Sequence, residues 1–87
     1  MNKAVAQTRY RCVLFLKPER PGHVPTRVEP QPNRDAAMKL ARERLPKDVI
    51  GVDVERAVFV KGDERHVHWR LQARRRSGRE LQEIRIV

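Results

Sequence analysis

Two long stretches of alternating apolar and polar residues most constrain what this chain can fold into. In residues 49–60 the apolar side chains of one parity are Ile50, Val52, Val54, Val58 and Val60, interrupted only by Arg56. In residues 65–74 they are Val67, Trp69, Leu71 and Ala73. A period of two is typical of half-buried β-strands. The turn residues at 61–64 therefore predict a hairpin between the two strands. Trp69 is expected to lie in the core, and Trp69→Ala is expected to unfold the protein.

The second stretch leads into an arginine-rich turn. Residues 65–79 contain six arginines and no acidic residue, and Ser77-Gly78 marks the turn. We expect this segment to form a protruding cationic arm. Residues 79–87 predict a last strand. Because Leu81 and Ile84 differ in parity, the strand is expected to contain a β-bulge near Gln82 and Glu83.

A further strand is expected over residues 8–17. Its apolar parity comprises Tyr10, Cys12, Leu14 and Leu16, and its other parity comprises Arg9, Arg11, Val13, Phe15 and Lys17. Residues 18–32 contain five of the six prolines, which cannot donate to a central β-ladder. This interval predicts either a short edge strand at 24–29 or an ordered extended loop. Residues 1–7 are expected to be a flexible lead.

One helix is predicted over residues 33–45. Asn33 is a good N-cap, Asp35 suits the positive end of the helix dipole, and Pro46 ends the helix by restricting Leu45. Packing Met38 and Leu45 onto a sheet predicts an α+β domain spanning residues 1–87. The expected architecture is a small antiparallel sheet of four or five strands in β(β)αβββ order, with the helix on one face.

Composition limits where such a chain would reside. The lone Cys12 allows neither an internal disulfide nor a thiolate zinc site, and it fits a small buried hydrophobic residue in a reducing compartment. No apolar run approaches the ~18–20 residues of a membrane span, and residues 1–8 contain no secretory leader. A cytoplasmic location without membrane association is the expectation.

Catalytic arrangements are sparse. Asp53 and Glu55 share one strand parity, as do His66 and His68, and either pair is spaced to bind a divalent ion. Carboxylates on a strand usually pair with basic residues of the neighbouring strand, and the histidines have basic neighbours. We therefore expect no enzyme activity, no metal and no cofactor.

The charge balance favours a binding protein. A formal net charge of +9 with a pI near 11 attracts nucleic acid or an acidic protein surface. If alternation holds throughout, one open sheet face collects arginines, histidines and the aromatic rings of Phe15 and Phe59, which suit phosphate binding and base stacking. The expected binding residues are Arg9, Arg11, Phe15, His66, His68, Arg70, Arg74, Arg75, Arg76 and Arg79.

Three interpretations of this surface stay open. The first is a monomer or homodimer that binds nucleic acid or a nucleoprotein complex. The second is an inhibitor or adaptor that docks on an acidic protein surface. The third is a solvated face whose charges only balance one another, with Val13 and Phe15 in a minor second core or a dimer contact.

The order of elements resembles small proteins of phages and mobile elements, including some anti-CRISPR proteins. The resemblance rests on Thr26-Arg27-Val28-Glu29, on the alanine-rich segment at 33–41 and on the strand at 52–60. It is one of architecture over roughly residues 8–74 and carries over no individual residue. It implies a non-enzymatic inhibitor of a host nucleoprotein complex, although the anti-CRISPR proteins that mimic DNA are acidic and this chain is basic.

Overall fold

The computed structural model describes residues 9–43 and 45–84. Within them the chain forms an antiparallel sheet and a helix that packs on one of its faces, which confirms the α+β class. Spatially, the strands follow the order β2-β1-β3-β4-β5. The elements in chain order are β1 (Tyr10–Leu16), β2 (Thr26–Gln31), α1 (Arg34–Arg42), β3 (Val49–Val60), β4 (Asp63–Arg76) and β5 (Gln82–Glu83).

Helix α1 begins as predicted and ends earlier than predicted. The Asn33 side chain caps it by accepting a hydrogen bond from the Ala36 amide at 2.8 Å. The expected continuation to Leu45 is wrong, because Glu43 already adopts an extended backbone and is the C-cap. The early end frees the chain to turn back towards β3, where the Val49 amide donates to the Pro46 carbonyl at 3.0 Å.

The core lies between α1 and the sheet. It consists of small and medium side chains from the helix and from β1, β3 and β4, and Met38 is its largest fully buried member. Three helix residues, Ala37, Met38 and Ala41, are buried, and the alanines allow the helix to approach the sheet closely. The buried cluster comprises Cys12, Leu14, Ala37, Met38, Ala41, Val49, Val52, Val54 and Ala73.

Both edge strands differ in extent from their predictions. The proline-rich interval does form an edge strand, but over Thr26–Gln31. Pro30, which lacks an N–H, is tolerated there because the outer side of an edge strand has no neighbouring strand to bond. The last strand pairs only through Gln82 and Glu83, which face Arg74 and Ala73 in register. The bulge predicted there is therefore wrong. The predicted lead at 1–7 and residues 85–87 lie outside the described residues.

The decisive irregularity is a β-bulge in β4. Val54 of β3 pairs with Ala73, but the next residue, Glu55, pairs with Leu71, so Gln72 has no partner on β3. One extra residue reverses the parity of everything beyond it. Ala73 therefore faces the helix, whereas Leu71 and Trp69 face away from it. The prediction that Trp69 lies in the main core is wrong for this reason.

Candidate binding surfaces

We call the side of the sheet away from α1 the open face. Paired rows of residues cross it from β1 through β3 to β4: Phe15–Gly51–Arg76, Val13–Asp53–Arg74 and Arg11–Glu55–Leu71. Beyond them, Trp69 pairs with Ala57 and Val67 with Phe59. The face is therefore more apolar than the sequence predicted, because the bulge adds Val67, Trp69 and Leu71 to it.

Midway along the open face an arginine joins a carboxylate and an aromatic ring. The Arg11 Nε donates to the Glu55 Oε1 at 2.6 Å, and the Arg11 guanidinium lies 4.0 Å from the centroid of the Trp69 ring. The Arg11 and Glu55 side chains are only 27% and 19% exposed. Their charges are thus paired and largely shielded from solvent.

Nearer the Phe15 end of the face the same arrangement recurs. Asp53 is buried and accepts hydrogen bonds from Arg76 Nη1 at 3.0 Å and Arg74 Nε at 3.4 Å. The Arg76 guanidinium lies 4.9 Å from the centroid of the Phe15 ring. To reach it, Arg76 crosses β3 above Gly51, where an added Cβ would lie 3.0 Å from the Arg76 Cδ. Gly51 therefore provides the space for this contact.

Arg75 belongs to the opposite, helix-facing side. Its Nη1 donates to the carbonyls of Ala41 at 2.9 Å and Glu43 at 2.7 Å, and its Nε donates to the Arg79 carbonyl at 3.2 Å. A cation at these carbonyls satisfies the negative end of the helix. The idea that Arg74, Arg75 and Arg76 form a protruding arm is wrong, because internal contacts hold all three.

The hairpin of β3 and β4 extends beyond the helix and carries a second basic surface. On its helix-facing side Arg56 pairs directly with Arg70, and Tyr10 of β1 pairs with Arg56 on the other side. The next pair along the hairpin is Val58 with His68. The side chains of Arg56, Arg70 and His68 are exposed. We call Tyr10, Arg56, Val58, His68 and Arg70 the hairpin surface.

Like charges directly opposite one another on neighbouring strands are unfavourable. Among the residues that the structure describes, neither Arg56 nor Arg70 has an ion pair, in contrast to the arginines of the open face. Arg56 and Arg70 therefore stand opposite each other on β3 and β4, and neither is paired with a described carboxylate.

The predicted binding residues thus separate into several places. Arg11, Phe15, Arg74 and Arg76 lie on the open face; His68 and Arg70 lie on the hairpin surface, next to the exposed His66; Arg75 caps the helix; Arg9 and Arg79 are exposed outside these clusters. The expectation that the histidines and Arg70 share a face with Arg11 is wrong. The alternation pattern did not predict Arg56 as a binding residue, because it forms a single interruption among the apolar residues of its strand.

The residues considered for a metal site are also separated. Asp53 and Glu55 lie on the open face in contact with arginines, while His68 faces the other side of the sheet. No group of three metal-binding side chains occurs among the described residues, which do not include the side chains of residues 60 and 63–65.

Cys12 is fully buried beneath the helix. Its Sγ lies 3.4 Å from the Ala37 carbonyl oxygen, to which the thiol donates. Burial raises the pKa of the Cys12 thiol to about 11, and the Glu29 carboxylate adds to this rise. A thiol that stays protonated is a poor nucleophile, which fits the predicted role of a small core residue.

Comparisons with protein families, curated proteins and solved structures find no match to this chain. In the described part of the chain, no helix has the length and apolar character needed to span a membrane. Any functional assignment therefore depends on the charges and contacts of the two surfaces.

Proposed function

We propose that the protein binds nucleic acid by its phosphate backbone, through the hairpin surface. The observation that carries this proposal is the direct pairing of the exposed Arg56 and Arg70 without an acidic partner among the described residues. A phosphate that bridges two guanidiniums relieves their repulsion and satisfies donors whose planar geometry suits phosphate oxygens. The chain's net charge of +9 adds long-range attraction for a polyanion.

The distribution of acids supports the hairpin surface over the open face. On the open face, Asp53 and Glu55 form ion pairs with the arginines, and their carboxylates would repel phosphates. On the hairpin surface, Tyr10 and His68 flank the arginine pair and add groups that can donate to phosphate oxygens. Contacts of this kind position a nucleic acid without reading base edges, so binding with little sequence preference is expected.

The test is binding to labelled single-stranded DNA, duplex DNA and RNA across a salt series. The double variant Arg56→Gln/Arg70→Gln should bind more weakly. For duplex DNA the slope of log affinity against log salt should become shallower by about 2, one unit for each lost phosphate contact. The matched control, Arg20→Gln/Arg42→Gln, removes the same charge from two exposed residues elsewhere.

Equal losses in the two double variants would show that only net charge matters and would overturn the assignment to the hairpin surface. Absence of binding to all three nucleic acids at low salt would overturn the proposal itself. Co-purification of an acidic protein whose binding depends on Arg56 and Arg70 would then favour the acidic-partner interpretation.

A further inference from the structure

We propose that the open face is the interface of a homodimer. The face has apolar side chains from four strands, in one group along the hairpin and another across β1 and β2 on the far side of Asp53 and Glu55. Two of them, Val28 and Phe59, are 47% and 36% exposed. The hairpin group comprises Ala57, Phe59, Val67, Trp69 and Leu71, and the other group comprises Val13, Phe15 and Val28. Such a face is an association site when it is rimmed by polar residues.

Charge indicates that the partner is a second copy. The ionised side chains that pair on the open face are Arg11, Arg74 and Arg76 with Asp53 and Glu55, and these five sum to a formal charge of +1. The whole chain carries +9. Two copies repel each other through most of their surface, and this nearly neutral face is where that repulsion is smallest.

The same face is self-complementary in the way that a two-fold interface requires. In such an interface each copy contributes the same patch, so the patch must contain both partners of every contact. Here paired guanidiniums and carboxylates lie between two apolar groups. The Arg74 side chain is 47% exposed, so it can also reach a carboxylate of the second copy, and the apolar groups of the two copies can pack together.

Stacked nucleic-acid bases are a poorer occupant. A base needs an uncovered ring face, whereas a guanidinium of the same chain already lies over the Trp69 ring at 4.0 Å and the Phe15 ring at 4.9 Å. The carboxylates of Asp53 and Glu55 also lie between these rings and would repel phosphates. A protein surface, in contrast, can pack against the flat arginine–aromatic pairs.

The size of the face is adequate. Strands β3 and β4 have 12 and 14 residues, and β1 and β2 have 7 and 6. At ~3.3 Å per residue and ~4.8 Å per strand, the face covers on the order of 600 Å² before side-chain relief is included. That is close to the ~800 Å² that each partner buries in a stable interface. The two sheets would pack face to face about 10 Å apart.

A dimer of this kind displays two hairpin surfaces. Arg56 and Arg70 lie on the side of the sheet opposite to the open face, so neither is covered when two open faces meet. The dimer would then hold a nucleic acid at two positions, which raises affinity through effective concentration. This consequence rests on the proposed function, whereas the dimerisation does not.

The first experiment measures molar mass by light scattering over a dilution series without nucleic acid. The wild-type protein should show twice the 10.2 kDa chain mass, and Val28→Asp and Phe59→Asp should show the chain mass. The matched control is Val24→Asp, a residue 45% exposed in the connection between β1 and β2, which should remain dimeric. Circular dichroism establishes that each variant is folded.

A second measurement does not depend on variants. Trp69 is the chain's sole tryptophan and lies on the open face, so its emission should shift to longer wavelength as the wild-type dimer dissociates on dilution. A wild-type protein of chain mass at every concentration would overturn the dimer, as would dimeric Val28→Asp and Phe59→Asp. A monomeric wild type that loses nucleic-acid affinity on Phe59→Asp would show that nucleic acid occupies the face instead. Arg56→Gln/Arg70→Gln should not change the mass, so the two proposals can fail separately.

Discussion

The guanidinium of Arg11 in β1 lies 4.0 Å from the ring centroid of Trp69 in β4, although β3 runs between the two strands. The contact passes beside Ala57, whose methyl group leaves room above the central strand. Arg76 and Phe15 make the same kind of contact above Gly51. Small residues of β3 thus allow arginine–aromatic pairs to connect strands that are not hydrogen-bonded to each other.

Because Trp69 is half-buried on the open face, Trp69→Ala should weaken the fold without abolishing it. The loss of partial burial and of the Arg11 contact should lower the free energy of unfolding by about 1–2 kcal/mol. Met38→Ala, in the fully buried core, should lower it by about 2–5 kcal/mol. Urea unfolding followed by circular dichroism in a Val28→Asp background excludes any contribution from association. If the Trp69→Ala protein is unfolded, this prediction is wrong and Trp69 is essential to the core.

Removing one arginine of the hairpin surface should stabilise the free protein. Arg70→Gln ends the repulsion with Arg56 and should raise the free energy of unfolding by about 0.2–1 kcal/mol at low salt. The gain should shrink at high salt, where exposed charges are screened. Thermal unfolding at both salt concentrations measures it, with Arg20→Gln as the control for net charge. A destabilised Arg70→Gln protein would show that Arg70 makes a favourable internal contact.

Arg75 should contribute to stability through its three carbonyl partners. Arg75→Gln leaves the carbonyls at the end of α1 without their cation and should lower the free energy of unfolding by about 1–3 kcal/mol. Arg79→Gln removes the same charge from an exposed residue in the adjacent turn, and it should have little effect because only the Arg79 backbone receives the Arg75 hydrogen bond. Equal unfolding midpoints for the two variants in urea would contradict the capping role.

The raised pKa of Cys12 makes stability depend on alkaline pH. The pKa of the Cys12 thiol has its ordinary value of 9.0 in the unfolded chain and is raised to about 11 in the folded protein. The folded protein therefore retains the proton between these values, and its stability falls as the pH rises from 9 to 11. Relative to Cys12→Ala, the decrease should be about 2 kcal/mol. Parallel pH dependences for the two proteins would show that the thiol environment does not change on folding.

Local chemistry predicted the elements well. Asn33 determines where the helix begins, because a side-chain acceptor at that position satisfies an amide that the helix leaves free. The alternation of Tyr10, Cys12 and Leu14 placed β1 correctly over the core, since no irregularity interrupts its pairing between residues 10 and 15. The end of the helix was less predictable, because the return of the chain to β3 determines it.

The candidate surfaces were less predictable than the elements. Assigning a face by parity requires an uninterrupted register, and the bulge at Gln72 interrupts it. A bulge of this type needs no glycine and no positive φ. No residue type at Leu71, Gln72 or Ala73 indicates it. The separation of Arg70 from Arg11 and the pairing of Arg70 with Arg56 both follow from this one extra residue.

The sequence by itself determined the strongly basic character, the alternating strands and the helix that covers one side of the sheet. These depend on composition, periodicity and capping, which act over a few residues. Only the tertiary structure decided which charges are neutralised and which remain displayed, because that depends on contacts between strands far apart in the chain. Arg74, Arg75 and Arg76 are adjacent in sequence, yet they contact Asp53, the helix terminus and Phe15, whereas Arg56 and Arg70 come together at an exposed site.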